Sequence, residues 1–264
     1  MTGGAPAVSR AAAVLKLLAR HPGRWWSLSE IARRLAIGKS SAHGLLATMV
    51  AEGLLLQEPV ERRYTLGPAL IGIGEAAATT GHAGLARLAH EEIRRLAETF
   101  DAQATTSCVV GDDMLIVDAA GGPDVLGRVT QIGERVPLRP PMGTVFLAFA
   151  PPDTVDRLLS GHPAGDDPST RRAFARALQA VRARGFSASL GGRVDVDGDL
   201  NGALALPYHI DLLAAPVRDA SGQAVLALSL FGFPAPLDRV GVDRAGRALC
   251  EAAERVAARI GGSQ

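Results

Sequence analysis

The chain has 264 residues, 47% of them hydrophobic and only 4% aromatic. That length holds two ordinary domains or one large one, with a core of Leu, Val, Ala and Ile that needs no staples. A net charge of +1 excludes a globally basic nucleic-acid binder, and two isolated cysteines, Cys108 and Cys250, exclude a disulfide framework or a four-thiolate zinc site.

The charge is unevenly placed. Residues 1–66 carry nine Lys or Arg and four Asp or Glu, a net of +5, which leaves −4 on the remainder. A basic head on a mildly acidic body is the footprint of a nucleic-acid-reading segment joined to a domain with another task. The first ten residues lack an apolar run, so no signal peptide is read. The longest uncharged stretch, residues 220–237, is broken by Ser221, Gly222, Gln223, Pro234 and Pro236 and does not read as a membrane span. A cytoplasmic protein with no membrane partner is expected.

In chain order, Ala13, Val14, Leu17 and Leu18 have helical spacing over residues 9–20, with Ser9 as a cap, and His21-Pro22-Gly23 stops the helix. Ser27-Leu28-Ser29-Glu30 fits a capping box opening a second helix with Ile31, Ala32 and Leu35 on its buried stripe. Ile37-Gly38 reads as a short turn. A third helix starts near Lys39-Ser40, carries Ala42, Leu45, Leu46, Met49 and Val50, and ends at Gly53. Residues 54–57 and 62–66 read as a hairpin around a Pro59-containing tip. Gly67-Pro68 opens a helix over residues 68–79 with Leu70, Ile71, Ile73 and Ala77.

Beyond Thr80-Gly81 a helix is expected over residues 83–100, then a hairpin of 103–110 and 114–120 and a strand near 126–132. Helices follow at 143–150, 152–160 and 169–184, with strands at 186–190, 211–218 and 223–231. A last helix, over 239–260, has Val242, Ala245, Leu249, Ala253, Val256 and Ile260 on one stripe. Hairpins flanked by helices predict an α+β domain with a mainly antiparallel sheet. The organisation is therefore residues 1–67, a winged helix-turn-helix; 68–81, a linker helix; and 82–264, a second domain.

Two short helices joined by a tight turn, with a helix before and a hairpin after, make a winged helix-turn-helix, whose second helix projects its polar start into the major groove. That start carries Lys39, Ser40, Ser41 and His43. Ser and Lys can contact phosphates and base edges, and a helix N-terminus favours phosphate. The wing offers Arg62 and Arg63. Three ordinary amphipathic core helices would show the same spacing; the basic charge, the wing and the terminal position favour double-stranded DNA as partner.

Residues 27–54 (SLSEIARRLAIGKSSAHGLLATMVAEGL) resemble the DNA-binding segment of the IclR family of bacterial transcriptional regulators. Residues 64–70 (YTLGPAL) resemble its wing exit, and residues 136–148 (VPLRPPMGTVFLA) resemble a loop and helix of its effector domain. The resemblance implies a GAF-like effector domain, homodimers that often pair into tetramers, and repression or activation switched by a small organic ligand. Gly44 stands where the family usually has Arg, and Arg139 where it often has His. By this resemblance the effector would be held by Met142, Leu212, Ser229 and Phe231, with Cys108 facing the same cavity. Leu212, Phe231 and Cys108 could equally be plain core. Arg139 could pair with an acidic effector, although such an arginine is more often solvated.

Other motifs carry less. Gly38-Lys39-Ser40 imitates the end of a P-loop but has Arg33 where the motif needs Gly. Asp197, Asp199, Asn201 and Gly202 match the first half of an EF-hand loop, but Tyr208 stands where its bidentate acid belongs, so Asp195, Asp197 and Asp199 are read as a solvated turn rather than a loose ion site. The six histidines are scattered, and no metal, cofactor or catalytic residue is assigned. The reading is a ligand-responsive regulator, taken as a repressor, on palindromic operators. The alternative is a metabolic enzyme with an N-terminal winged-helix interaction module.

Overall fold

The computed structural model describes residues 5–78, 81–122, 132–139, 142–160, 167–190, 193–194 and 210–261. The chain forms two compact units, Met1–Thr79 and Thr80–Gln264.

In the first unit α1 (Pro6–Ala19), α2 (Leu28–Arg34) and α3 (Lys39–Ala51) precede the strands β1 (Leu55–Gln57) and β2 (Tyr64–Leu66), and α4 (Ala69–Ala78) follows. The helix α1 begins before the expected Ser9 cap: Ala5 is its N-cap and Pro6 opens the first turn. Proline has no N–H to leave unpaired there and its φ is already helical, which favours the earlier start. Val14 and Leu18 of α1, Ile31 of α2, Leu46 and Met49 of α3, Leu55 of β1 and Tyr64 of β2 close around Trp26 as one core. Trp26 N–H donates to Tyr64 O at 2.9 Å and Tyr64 N–H to Trp26 O at 2.7 Å. The segment before α2 is thereby stitched to the antiparallel β1–β2 pair.

The second unit runs α5 (Gly81–Phe100), β3 (Gln103–Val110), β4 (Asp113–Ala120), β5 (Arg135–Pro137), α6 (Thr144–Leu147), α7 (Pro152–Ser160), α8 (Pro168–Arg184), β6 (Ser187–Leu190), β7 (Arg193–Val194), β8 (Ile210–Arg218), β9 (Ala224–Phe231) and α9 (Arg239–Gly261). Its strands form one antiparallel sheet in the order β5-β4-β3-β9-β8-β6-β7. The mixed architecture with an antiparallel sheet is the one expected. The helix expected over 143–150 is shorter, Thr144–Leu147, because Pro151 and Pro152 follow closely and disfavour helical backbone before them. The strand expected near 126–132 falls outside the described residues except for Ile132, which lies in a turn. The edge strands β5 and β7 have too few residues to show a period.

The two sheet faces are covered differently. Ala104, Cys108, Leu213, Ala215, Leu228 and Leu230 pack under α5 and α9, against Ile93, Leu249 and Val256. Met114, Ala214 and Ala227 face the other way, against Val145 and Phe146 of α6 and Phe174, Leu178 and Val181 of α8. Period-2 alternation produces this split. The close seat of α9 depends on Gly246, where a Cβ would come within 2.4 Å of the Phe186 ring.

Candidate nucleic-acid interface and effector face

The reading helix is positioned by its neighbour. Glu30 N–H donates to Ser27 Oγ at 3.3 Å, and Ser27 N–H donates to Glu30 Oε2 at 2.8 Å, so the capping box is complete. The Ser27 N–H and hydroxyl, followed by Arg24, hold the Glu30 carboxyl down at about 2. Arg24 bridges to Glu30 Oε1 at 2.9 Å and stacks over the Trp26 ring at 3.9 Å. The turn to α3 is made by Ala36 at φ +53°, with Ile37 N–H returning to Ala32 O at 3.0 Å. This is a left-handed helix end of the Schellman type. The glycine expected to make the turn, Gly38, instead caps α3 at φ −62° with no side-chain hydrogen bond. The first N–H groups of α3 therefore keep their dipole for an outside anion.

Lys39, Ser40, Ser41 and His43 are all exposed on the first turns of α3, while Ala42, Leu46 and Met49 are buried on the other side. Gly44, Ala47 and Thr48 continue the exposed face. At the wing tip the Glu58 carboxylate accepts from the N–H groups of Val60, at 2.9 Å, and of Glu61. Those amides hold its carboxyl below the usual range. Arg62 sits at φ +56° and is exposed, as is Arg63, which pairs with Glu61 at 3.0 Å. The six residues expected to touch DNA are thus two exposed groups on the first unit, one on α3 and one on the wing.

The effector candidates divide. Ser229 and Phe231 lie on β9 with Ala227, on the face away from α5 and α9, and Leu212 lies opposite Phe231 on β8. Met142 is half-buried against the α6–α8 core on that same face. Cys108 is not with them. It is fully buried with Ala104 under α5 and α9, because the β3–β9 register puts Ser107, its neighbour, on the Ala227 side. The expectation that Cys108 faces the effector cavity is therefore corrected by one step of strand parity. Burial also pushes its thiol up, and pushes Cys250 up to about 11, so neither is a ready nucleophile. Arg139 is exposed; its main chain, not its side chain, shapes the loop, with Gly143 N–H donating to Arg139 O at 2.9 Å. A Cβ on Gly143 would stand 2.6 Å from Arg139 N, which is why glycine occupies that position.

The structure adds residues that sequence reasoning missed. Gln103, Thr105 and Ser107 of β3 pair with Phe231, Ser229 and Ala227, and Ser187 and Ser189 of β6 pair with Ala214 and Leu212. All five are buried. The polar run in residues 103–107 and the Ser-Ala-Ser alternation of residues 187–189 were the available signal. Among the described residues no group of His, Cys, Asp and Glu could hold a metal ion, and no helix is long and apolar enough to cross a membrane. Asp195, Asp197 and Asp199 lie outside the described residues.

Comparison with known proteins bears on both units. Residues 7–59 match the model of the IclR helix-turn-helix domain, and residues 77–258 match that of the bacterial transcriptional regulator IclR C-terminal domain. The glycerol operon regulatory protein of Streptomyces griseus is 31% identical over 242 residues, covering 90% of this chain and 87% of that protein. The crystal structure of an IclR transcriptional regulator from Alicyclobacillus acidocaldarius superposes with a TM-score of 0.69 at 29% identity, covering 97% of this chain and 98% of that one. An IclR homologue from Microbacterium hydrocarbonoxydans, solved in complex with 4-hydroxybenzoate, shares the fold with a TM-score of 0.68 at 20% identity, covering 96% and 98%. The chain belongs to the IclR family: it is a DNA-binding, ligand-responsive transcriptional regulator and not an enzyme.

Proposed function

We propose that this chain is a cytoplasmic, self-associating repressor that reads a palindromic operator through its first unit and releases it when a small molecule binds its second. The observation that carries the reading is the exposed polar start of α3, uncapped at Gly38 and presenting Lys39, Ser40, Ser41 and His43, with Arg62 and Arg63 on the wing. The division of labour is residues 1–67 for DNA, 68–81 as linker helix and 82–264 for the effector. Few long side chains reach from α3, and one good bidentate base contact discriminates by only about 1–3 kcal/mol. Specificity then calls for two copies reading two half-sites about one helical turn, or a multiple of it, apart. The helix α4 offers a surface for that pairing: Ile71 is 66% and Ile73 57% exposed. Apolar side chains so placed are better covered than hydrated. A dimer seated over a promoter represses by occupancy.

The effector is assigned to the sheet face carrying Leu212, Ser229 and Phe231, with Met142 beside it. A small organic molecule, as in the complex of the Microbacterium homologue, supports this reading. Arg139 is kept as a rim contact only, because its side chain is exposed.

The experiment is selection of genomic fragments by the full chain, followed by binding at several salt concentrations. Selected fragments should share an inverted repeat. Replacing Arg62 and Arg63 with Ala should weaken binding to every sequence and flatten the salt dependence, by up to about one slope unit for each phosphate no longer neutralised. Asymmetric selected sites, or an unchanged salt slope, would count against the proposal.

A further inference from the structure

The face of the sheet turned away from α5 and α9 is built for hydroxyl groups. The register across β3, β9, β8 and β6 aligns Thr105, Ser229, Ala214 and Ser187 in one transverse row and Gln103, Phe231, Leu212 and Ser189 in the next. Residues opposite one another on antiparallel strands share a face, and Ala214 packs on the α6–α8 side, so both rows lie there. Gln103, Thr105, Ser187, Ser189 and Ser229 are buried. Buried hydroxyls are disfavoured in a hydrocarbon core unless hydrogen-bonded. Ser189, only 2% exposed, has an Oγ with no hydrogen-bond partner among the described residues. Among the described residues, Ser187 reaches only the Ala214 carbonyl, at 3.5 Å.

None of the eight residues in the two rows is charged. A carboxylate brought against them would find hydroxyl donors but no cation to offset its lost hydration. A serine hydroxyl both donates and accepts, and its natural complement is another hydroxyl. Leu212 and Phe231, interleaved with the polar positions, offer apolar contact for the C–H side of a carbon skeleton.

We propose that the effector is a small, neutral polyhydroxylated molecule, a polyol or aldose, held by hydrogen bonds from Ser189, Ser229 and Thr105 over Leu212 and Phe231. This rests on the effector reading of that face and narrows it to one chemical class, against the acidic effector that Arg139 suggested from sequence. It also implies a conflict at Ser189, whose hydroxyl destabilises the empty protein and serves only the occupied one.

The test uses the full chain and calorimetry with two sets of probes: glycerol, xylitol and D-xylose, and pyruvate and 4-hydroxybenzoate. At least one neutral probe should bind, and Ser189→Ala should weaken it about tenfold, the worth of one hydrogen bond. The same variant should raise the melting temperature of the ligand-free protein. Thr106→Val is the control. Thr106 Oγ1 is also buried without a partner, but it lies opposite Leu228 on the α5–α9 face. That variant should raise the melting temperature and leave probe binding unchanged. Ser229→Val, checked for folding by circular dichroism, separates the location of the site from the class of its ligand. If only a carboxylate probe binds and Ser229→Val weakens it, the face is an effector site and the polyol class is wrong. If no neutral probe binds at millimolar concentration, the class is likewise overturned. Where probe binding is indifferent to both Ser189→Ala and Ser229→Val, the face is not the effector site and both readings fall.

Discussion

Glu92 of α5 and Arg255 of α9, 163 positions apart, are joined by two hydrogen bonds from the Arg255 guanidinium to Glu92 Oε2, at 3.1 and 2.9 Å. Arg259, one turn further along α9, takes Oε1 at 2.8 Å. Glu92 is 1% exposed. Burial works against its charge, but the hydrogen bonds and charges of the two arginines prevail and hold its carboxyl below the usual range. The pair fixes how α5 lies along α9.

Glu92→Gln keeps the shape and removes the charge. The arginines stay partly solvated, so the expected loss is about 1.5–3 kcal/mol, the range for hydrogen bonds to a charged group. A carboxyl depressed in the folded state stabilises above its unfolded value and loses that contribution as pH falls through the folded one. The wild-type chain should therefore lose stability below about pH 4.5, near the ordinary carboxylate value, and Glu92→Gln should lose less over the same interval. Denaturant melts at pH 7 and pH 3.5 measure both. Equal acid losses would mean that Glu92 is not depressed.

Ile71 and Ile73 of α4 are predicted to lie between two copies of the chain. Replacing both with Asp should give a monomer by sedimentation and reduce operator affinity at least tenfold, since one reading helix then acts alone. A monomer with undiminished affinity would remove the need for two copies. A dimer with normal affinity would move the contact to the second unit.

Gly44 lies on the exposed face of α3, and no atom comes within 4 Å of a Cβ built there. Alanine should stabilise the free protein by about 0.8–1 kcal/mol, the helix-interior penalty of glycine. If glycine is there to let the helix backbone approach DNA, the same variant should bind its operator more weakly. Stabilisation with intact affinity would discard the close-approach idea and leave the rest of the interface standing.

Gly246→Ala is expected to act in the opposite direction. Its Cβ would meet the Phe186 ring at 2.4–2.7 Å. The ring is buried and α9 cannot withdraw without opening the core, so a loss of about 1–3 kcal/mol follows. Adding Phe186→Leu should restore part of it. A Gly246→Ala protein as stable as wild type would show that the ring moves freely.

Local chemistry was legible in the chain. The capping box at Ser27 and Glu30 and the stripe from Val242 to Ile260 on α9 need only neighbours within a few positions, and both are present. The exposed start of α3 and the wing arginines could be named for the same reason. What the chain could not announce depends on partners far away or on parity. The family resemblance placed Cys108 with Ser229, yet in a strand one residue decides the face, and that is set by the pairing of β3 with β9. The left-handed residue of the turn read at Ile37-Gly38 is Ala36, two positions before Gly38, because the end of α2 closes there. Glu92 was indistinguishable from any helical glutamate until α9 brought Arg255 and Arg259 to it. The hydroxyl rows likewise exist only in the folded sheet, where β3, β9 and β6 bring Thr105, Ser229, Ser187 and Ser189 onto one face.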